Sequence, residues 1–150
     1  EQRAALAGIA GADKPVLLFG ATGSGKTEVY LQVAAECLAQ DPTAQILVLV
    51  PEINLTPQLE ARFFDRFGAN HVVAMHSGLT PAQRLQSWLS AHLGHARVVL
   101  GTRMAVFASL PRLQLIVVDE EHEAFWLRHF LDTQLFAHKI GIAANRGLRA

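Results

Sequence analysis

The run Gly20-Ala21-Thr22-Gly23-Ser24-Gly25-Lys26-Thr27 fits G-x-x-x-x-G-K-[ST] without a mismatch. It constrains the fold more than any other stretch, because such a loop needs a strand to deliver the backbone and a helix to carry it away. The apolar residues Val16-Leu17-Leu18-Phe19 run straight into it, and a segment of helical periodicity over 27–39 leaves it. Gly20, Gly23 and Gly25 let the backbone turn tightly, so that consecutive N–H groups can form a concave cradle for an anion. The helix that follows points its positive end at the same place. Lys26 is expected to reach β- and γ-phosphate oxygens as a point charge, and the Thr27 hydroxyl to ligate the magnesium that bridges them. The plainer reading, a glycine-rich turn with no ligand, leaves the complete motif unexplained.

Apolar runs expected to be strands recur at 16–19, 46–50, 71–75, 98–100 and 115–118. They are rich in Val, Leu and Ile and alternate little, the pattern of a parallel sheet covered on both faces. Helical segments separate them. One spans 57–67 with Leu59, Phe63, Phe64 and Phe67 to one side, and another spans 81–93 with Leu85, Trp88, Leu89 and His92. Pro57 and Pro81 stand in first-turn positions behind Thr56 and Thr80, which suit N-caps. Residues 1–12 are expected to form a short helix laying Ala4, Ala5, Leu6 and Ile9 on one sheet edge, broken by Gly11-Ala12-Asp13-Lys14-Pro15. Strand, helix and strand repeated in this way imply an α/β fold with a doubly wound parallel sheet and helices on both faces. The stretch 123–150 is aromatic and histidine-bearing at first and then rich in Gly, Ala and Arg, and most of it is expected to be helical.

With 51% hydrophobic residues, a chain of 150 has material for one domain with a real core. Its formal charge is zero, which argues against holding nucleic acid through a broad positive field; any such contact must be local. The single cysteine, Cys37, leaves no disulfide framework or cysteine zinc site within the chain, and it reads as a buried thiol on a helix. No apolar run approaches the roughly 18 residues of a membrane span, and no charged-then-apolar leader opens the chain, so a soluble, reducing, cytoplasmic setting is expected. His71, His76, His92 and His95 have no metal-site spacing and read as packing or surface residues.

A phosphate loop needs an acid to order the magnesium and a group to position water. Leu115-Ile116-Val117-Val118-Asp119-Glu120-Glu121-His122 offers both: an apolar strand ends in Asp119, which would stand beside Thr27 at the carboxyl edge of the sheet. Glu120 would face the γ-phosphate and orient the attacking water. An acidic strand end in solvent is the alternative, weakened by the phosphate loop upstream. His122 either couples this site to a neighbouring lobe or caps the turn.

Taken together, Gly20–Thr27 followed by Glu28-Val29-Tyr30, then Val50-Pro51-Glu52-Ile53-Asn54-Leu55-Thr56-Pro57-Gln58, His76-Ser77-Gly78-Leu79, Gly101-Thr102-Arg103 and Asp119-Glu120-Glu121-His122, resemble the superfamily 2 helicases. More narrowly they resemble the primosomal replication-restart helicase family, over about residues 14–123. The resemblance implies a RecA-like P-loop NTPase lobe of an ATP- and Mg2+-dependent, 3′-to-5′ DNA translocase. Single-stranded or forked DNA, a second helicase lobe, primosome proteins and single-strand-binding protein are the partners it implies. It also implies that Gln2 reads the adenine base, and that Gly20, Ala21, Thr22, Gly23, Ser24, Gly25, Lys26, Thr27, Glu28, Asp119, Glu120 and His122 serve the nucleotide. Pro51, Glu52, Thr56, Gln58, Thr102 and Arg103 match motifs that contact the strand. Hydroxyls, amides and a few cations just beyond strand ends suit sequence-blind phosphate contacts.

Two departures stand beside the resemblance. Nothing after Glu123 resembles the second lobe, its arginine fingers, the cysteine-rich zinc region or the Ser-Ala-Thr segment, and Phe125-Trp126-Leu127-Arg128-His129-Phe130 replaces the family's usual tyrosine, lysine and glutamine-rich continuation. The chain is therefore expected to be one motor lobe, cut short or diverged at its end, with weak activity alone. A nucleotide-dependent DNA- or protein-binding module without significant catalysis is the competing reading. A small-molecule kinase is a third, disfavoured because no arginine-rich lid is visible.

Overall fold

The computed structural model describes residues 2–10, 16–19, 25–119 and 140–145. Its strands are β1 (Val16–Phe19), β2 (Gln45–Leu49), β3 (Val72–Met75), β4 (Val98–Gly101), β5 (Leu113–Asp119) and β6 (Ile140–Asn145). Every pairing is parallel, in the order β1-β6-β5-β2-β4-β3. Among the described residues four α-helices accompany them: α1 (Gln2–Ala10), α2 (Lys26–Gln40), α3 (Pro57–Phe67) and α4 (Pro81–His92).

Alternate residues of each central strand face opposite ways. Ile46, Val48 and Val50 join Val98, Leu100, Leu115 and Val117 beneath Ile9 of α1, Val29, Tyr30, Leu31 and Ala34 of α2 and Phe63 of α3. Leu47, Val99, Leu113 and Ile116 face the other way, with Ala91 of α4 and Ala105. Both faces are thus covered, which is why the strand runs read as continuously apolar. The α3 stripe of Leu59, Phe63, Phe64 and Phe67 packs into the first cluster as its periodicity requires.

Threonine caps begin two helices. Thr56 Oγ1 accepts from the Leu59 amide at 3.2 Å, and Thr80 forms a full capping box with Gln83. Such caps contribute about 1 kcal/mol each.

Three expectations are corrected. Residues 140–145 are a strand, where helix was expected for most of 123–150. β6 lies between β1 and β5 and pairs with both, so its backbone groups are satisfied on each side. Residues 123–139 and 146–150 lie outside the described residues, as do 11–15. The apolar face of α4 is not simply inward: Ala91 is buried and Trp88 partly so, whereas Leu85 and Leu89 are exposed. At the start of the chain Ala4 is exposed while Ile9 is buried in the cluster shared with α2, so the four expected positions are not buried together, and α1 packs on α2. Cys37 is half-buried against that cluster, and burial, then the charge of Asp41, push its thiol pKa up. Among the described residues no helix is long and apolar enough to cross a membrane.

One buried polar residue has no counterpart in the sequence reading. Gln45, fully buried at the start of β2, donates to the carbonyls of Ala91 (2.7 Å) and Ala96 (2.8 Å) and accepts from the Arg112 amide (3.1 Å). It ties the end of α4 and the entries to β4 and β5 onto the central strand. Gln45→Leu removes all three bonds and should lower stability by on the order of 3 kcal/mol, about 1 per bond. A urea midpoint equal to that of the parent chain would contradict this role.

Candidate functional site

The carboxyl ends of parallel strands share one edge of the sheet, and ligands of such sheets bind there. β1 ends at this edge in Phe19, and β5 ends there in Asp119. Phe19 pairs with Asn145 and Asp119 with Ala144, so the two strand ends lie level, one strand apart.

Gly25 stands at the N-cap of α2 in the left-handed conformation (φ 81°, ψ 18°), with no side chain capping the helix. A Cβ would strain that backbone, and the Gly25 carbonyl accepts the amides of Glu28 at 3.1 Å and Val29 at 3.3 Å, which opens the helix. Lys26, Thr27 and Glu28 form the first turn.

One turn on, Tyr30 is completely buried. Its hydroxyl lies 3.0 Å from Oδ2 of Asp119 and 3.3 Å from Oγ1 of Thr27. Burial, and next the negative charge of Asp119, push the phenol pKa well above its ordinary value, so the group stays protonated and donates. The threonine and the aspartate, far apart in sequence, therefore meet at one phenolic oxygen. Hard oxygens of this kind suit magnesium, which takes one or two from protein and completes its shell with phosphate and water. Thr27 and Asp119 fit that ion, and when bound it would neutralise phosphate charge between them.

Lys26, Thr27, Tyr30 and Asp119 line a cleft of about 530 Å³ together with Asn54, Thr56, Gln58 and Arg62. That is the volume of a small-molecule site. Glu28 also lines it and is held by two arginines of α3, Arg62 at 3.3 Å and Arg66 at 3.4 Å, with Arg66 donating to Gln32 at 2.6 Å. These half-exposed pairs link α2 to α3 and add little to stability.

The residues expected to contact a strand divide. Thr56 and Gln58 line the same cleft as Lys26 and Asp119. The Pro51 carbonyl accepts the amides of Asn54 and Leu55, and exposed Glu52 accepts from the Ser77 hydroxyl at 3.0 Å, tying the loop after β2 to the loop after β3. Arg103 is exposed on a short 3₁₀ turn, Arg103–Phe107, that follows β4. Thr102 is only 3% exposed; its amide donates to Met75 O, and its hydroxyl has no hydrogen-bond partner among the described residues. Gly20, Ala21, Thr22, Gly23, Ser24, Glu120, His122 and the Gln2 side chain lie outside the described residues.

Sequence reading gave no role to Tyr30, Asn54 or Arg62. For Tyr30 a signal existed: it stands three residues after Thr27 and four after Lys26, on one helix face. For Arg62 none did, since nothing in the sequence pairs it with Glu28 across two elements.

A family model for the DEAD/DEAH box helicases matches residues 1–132. The chain belongs to the DEAD/DEAH box helicase family. It is 52% identical over 120 residues to replication restart protein PriA of Synechocystis sp., covering 80% of this chain and 14% of that protein. Its identity to PriA of Bacillus subtilis is 49% over 111 residues, 74% of this chain and 13% of that one. The chain thus spans about one-seventh of the length of these relatives. Among solved structures, the helicase MrfA superposes with a TM-score of 0.74 over 99% of this chain and 27% of its own, at 20% identity, a likeness of fold.

Gly101 shows why the helicase-family chain has glycine ahead of Thr102 and Arg103. A Cβ there would meet the Ala105 side chain and stand 2.6 Å from the Met75 carbonyl oxygen. Gly101→Ala must move backbone, and we expect it to cost about 1–3 kcal/mol, as overpacking does. A thermal unfolding midpoint unchanged from the parent would show that the turn has room the structure denies it.

Proposed function

We propose that this chain is the ATP-binding motor lobe of a DNA helicase that acts in replication restart and primosome assembly. The observation that supports it best is the meeting of Thr27 and Asp119 at the Tyr30 hydroxyl, beside Lys26 in a cleft of nucleotide size. In this reading the phosphate loop from Gly20 to Thr27 cradles ATP. Lys26 meets the terminal phosphates, Thr27 and Asp119 hold magnesium, and Glu120 orients the attacking water. Gln2 reads the adenine, and His122 couples the site to a second lobe. Thr56, Gln58 and Arg103 contact the backbone of a single strand along which the full-length parent moves 3′ to 5′. Its setting is cytoplasmic, with primosome proteins and single-strand-binding protein as partners.

Lys26→Ala should weaken binding of a fluorescent ATP analogue about 10- to 100-fold, the loss of one charged hydrogen bond. Unaltered affinity would overturn the phosphate-loop assignment. In the full-length parent, Glu120→Gln should keep nucleotide binding and lose turnover.

Transition-state charge in such motors is met by arginine fingers worth on the order of 10³–10⁵ in rate. The chain alone is therefore expected to release phosphate slowly and with little stimulation by oligonucleotide, and a version extended through a second lobe to respond strongly. Equal, strand-stimulated rates in both would show the short chain to be a complete enzyme. Binding without turnover in both would favour a nucleotide-dependent binding module instead.

A further inference from the structure

We propose that Tyr30 is a positioning residue of the metal site: its phenol holds the Asp119 carboxylate and the Thr27 hydroxyl in the arrangement that receives a divalent cation. The inference rests on the reading of Thr27 and Asp119 as magnesium ligands and adds a residue that acts through those two side chains.

A phenol has one hydrogen and can also accept. Of its two neighbours, Asp119 Oδ2 is nearer, at 3.0 Å, and charged, so the hydrogen belongs to it. The contact with Thr27 Oγ1, at 3.3 Å, is then completed by the threonine's own hydrogen, which leaves the threonine lone pairs for a cation. A carboxylate offers about four lone-pair directions, so accepting from Tyr30 still leaves Asp119 able to ligate. The phenol thereby settles two rotations at once, that of the aspartate and that of the threonine hydroxyl.

Such a role requires that the phenol itself be fixed. Tyr30 is completely buried, and its ring stacks on Phe63 of α3, with centroids 6.4 Å apart and planes at 29°. Phe63 is equally buried and packs in turn on Phe67 at 6.0 Å. Helix α2 supplies both the threonine and the tyrosine, three residues apart on one face, while the aspartate arrives from β5. The alternative is a buried hydroxyl that merely satisfies itself on the nearest acceptors. That role would affect stability and leave the metal untouched.

Tyr30→Phe separates the two, since it keeps the ring and removes only the oxygen. The measurement is binding of a fluorescent ATP analogue to the 150-residue chain across a magnesium titration, beside Asp119→Asn and a thermal melt in chelator. Hydrogen-bonding partners of metal ligands commonly govern affinity by 10–100-fold, so Tyr30→Phe should raise the magnesium needed for half-maximal binding by about that factor. Raising magnesium should recover analogue affinity lost by the variant, because the Thr27 and Asp119 oxygens that would ligate the ion remain. An unchanged magnesium requirement in Tyr30→Phe, with Asp119→Asn altered, would overturn the positioning role and leave the metal site standing. If neither variant shifts it, the metal-site reading falls and this inference with it.

Tyr30 is the chain's one tyrosine, which gives a second test that needs no substitution. Biosynthetic 3-fluorotyrosine would yield one fluorine resonance, expected to shift when magnesium is added to the nucleotide-saturated chain. A resonance indifferent to magnesium would equally overturn the proposal.

Discussion

Pairing of β2 with β5 on one side and β4 on the other is the constraint on which the rest of the structure depends. A strand bonded along both edges and buried on both faces can sit only in the middle of a layered α/β domain. Helices must then cover each face, and the chain must cross over the sheet between strands to keep them parallel. Gln45 holds the start of this strand to the end of α4 and to the entries of its two neighbours. The polar interaction is buried where an unpaired backbone group would be costly.

Parallel strands put their carboxyl ends together, and everything chemically interesting in this chain follows from that edge. The phosphate loop follows β1, the Thr56 cap follows β2, Arg103 follows β4 and Asp119 ends β5. With zero formal charge over the chain, polar chemistry at this edge is local: hydroxyls, a carboxylate and a few cations rather than a broad positive field. The Glu28 ion pairs and the Tyr30–Phe63 stack link α2, which carries Lys26 and Thr27, to α3, which carries Thr56 at its cap. A single packed unit therefore carries both groups of residues.

Much of this was legible in the sequence, for identifiable reasons. The strand runs at 16–19 and 115–118 and the helix at 57–67 stand out because burial on two faces, or one helical stripe, imposes a pattern that few other structures produce. Thr56 and Thr80 before proline announced their caps because capping is local chemistry. The 140–145 strand was not legible: Ile, Gly and Ala in that order fit several states, and its structure follows from the vacancy between β1 and β5 that it fills. The exposed Leu85 and Leu89 show the same limit, since periodicity names a face and not what lies against it.

The sequence by itself determined the phosphate-loop motif, the strand-helix alternation and the acidic end of β5, because each is written in neighbouring residues and in the period of one element. Only tertiary structure decided that Thr27 and Asp119 meet through Tyr30, that Arg62 reaches Glu28, and that Thr102 turns inward while Arg103 faces solvent. Those facts depend on the angle at which α2 crosses the sheet and on how tightly Gly101 brings two backbones together. Such distances are fixed by packing among residues remote in the chain, and no local pattern encodes them.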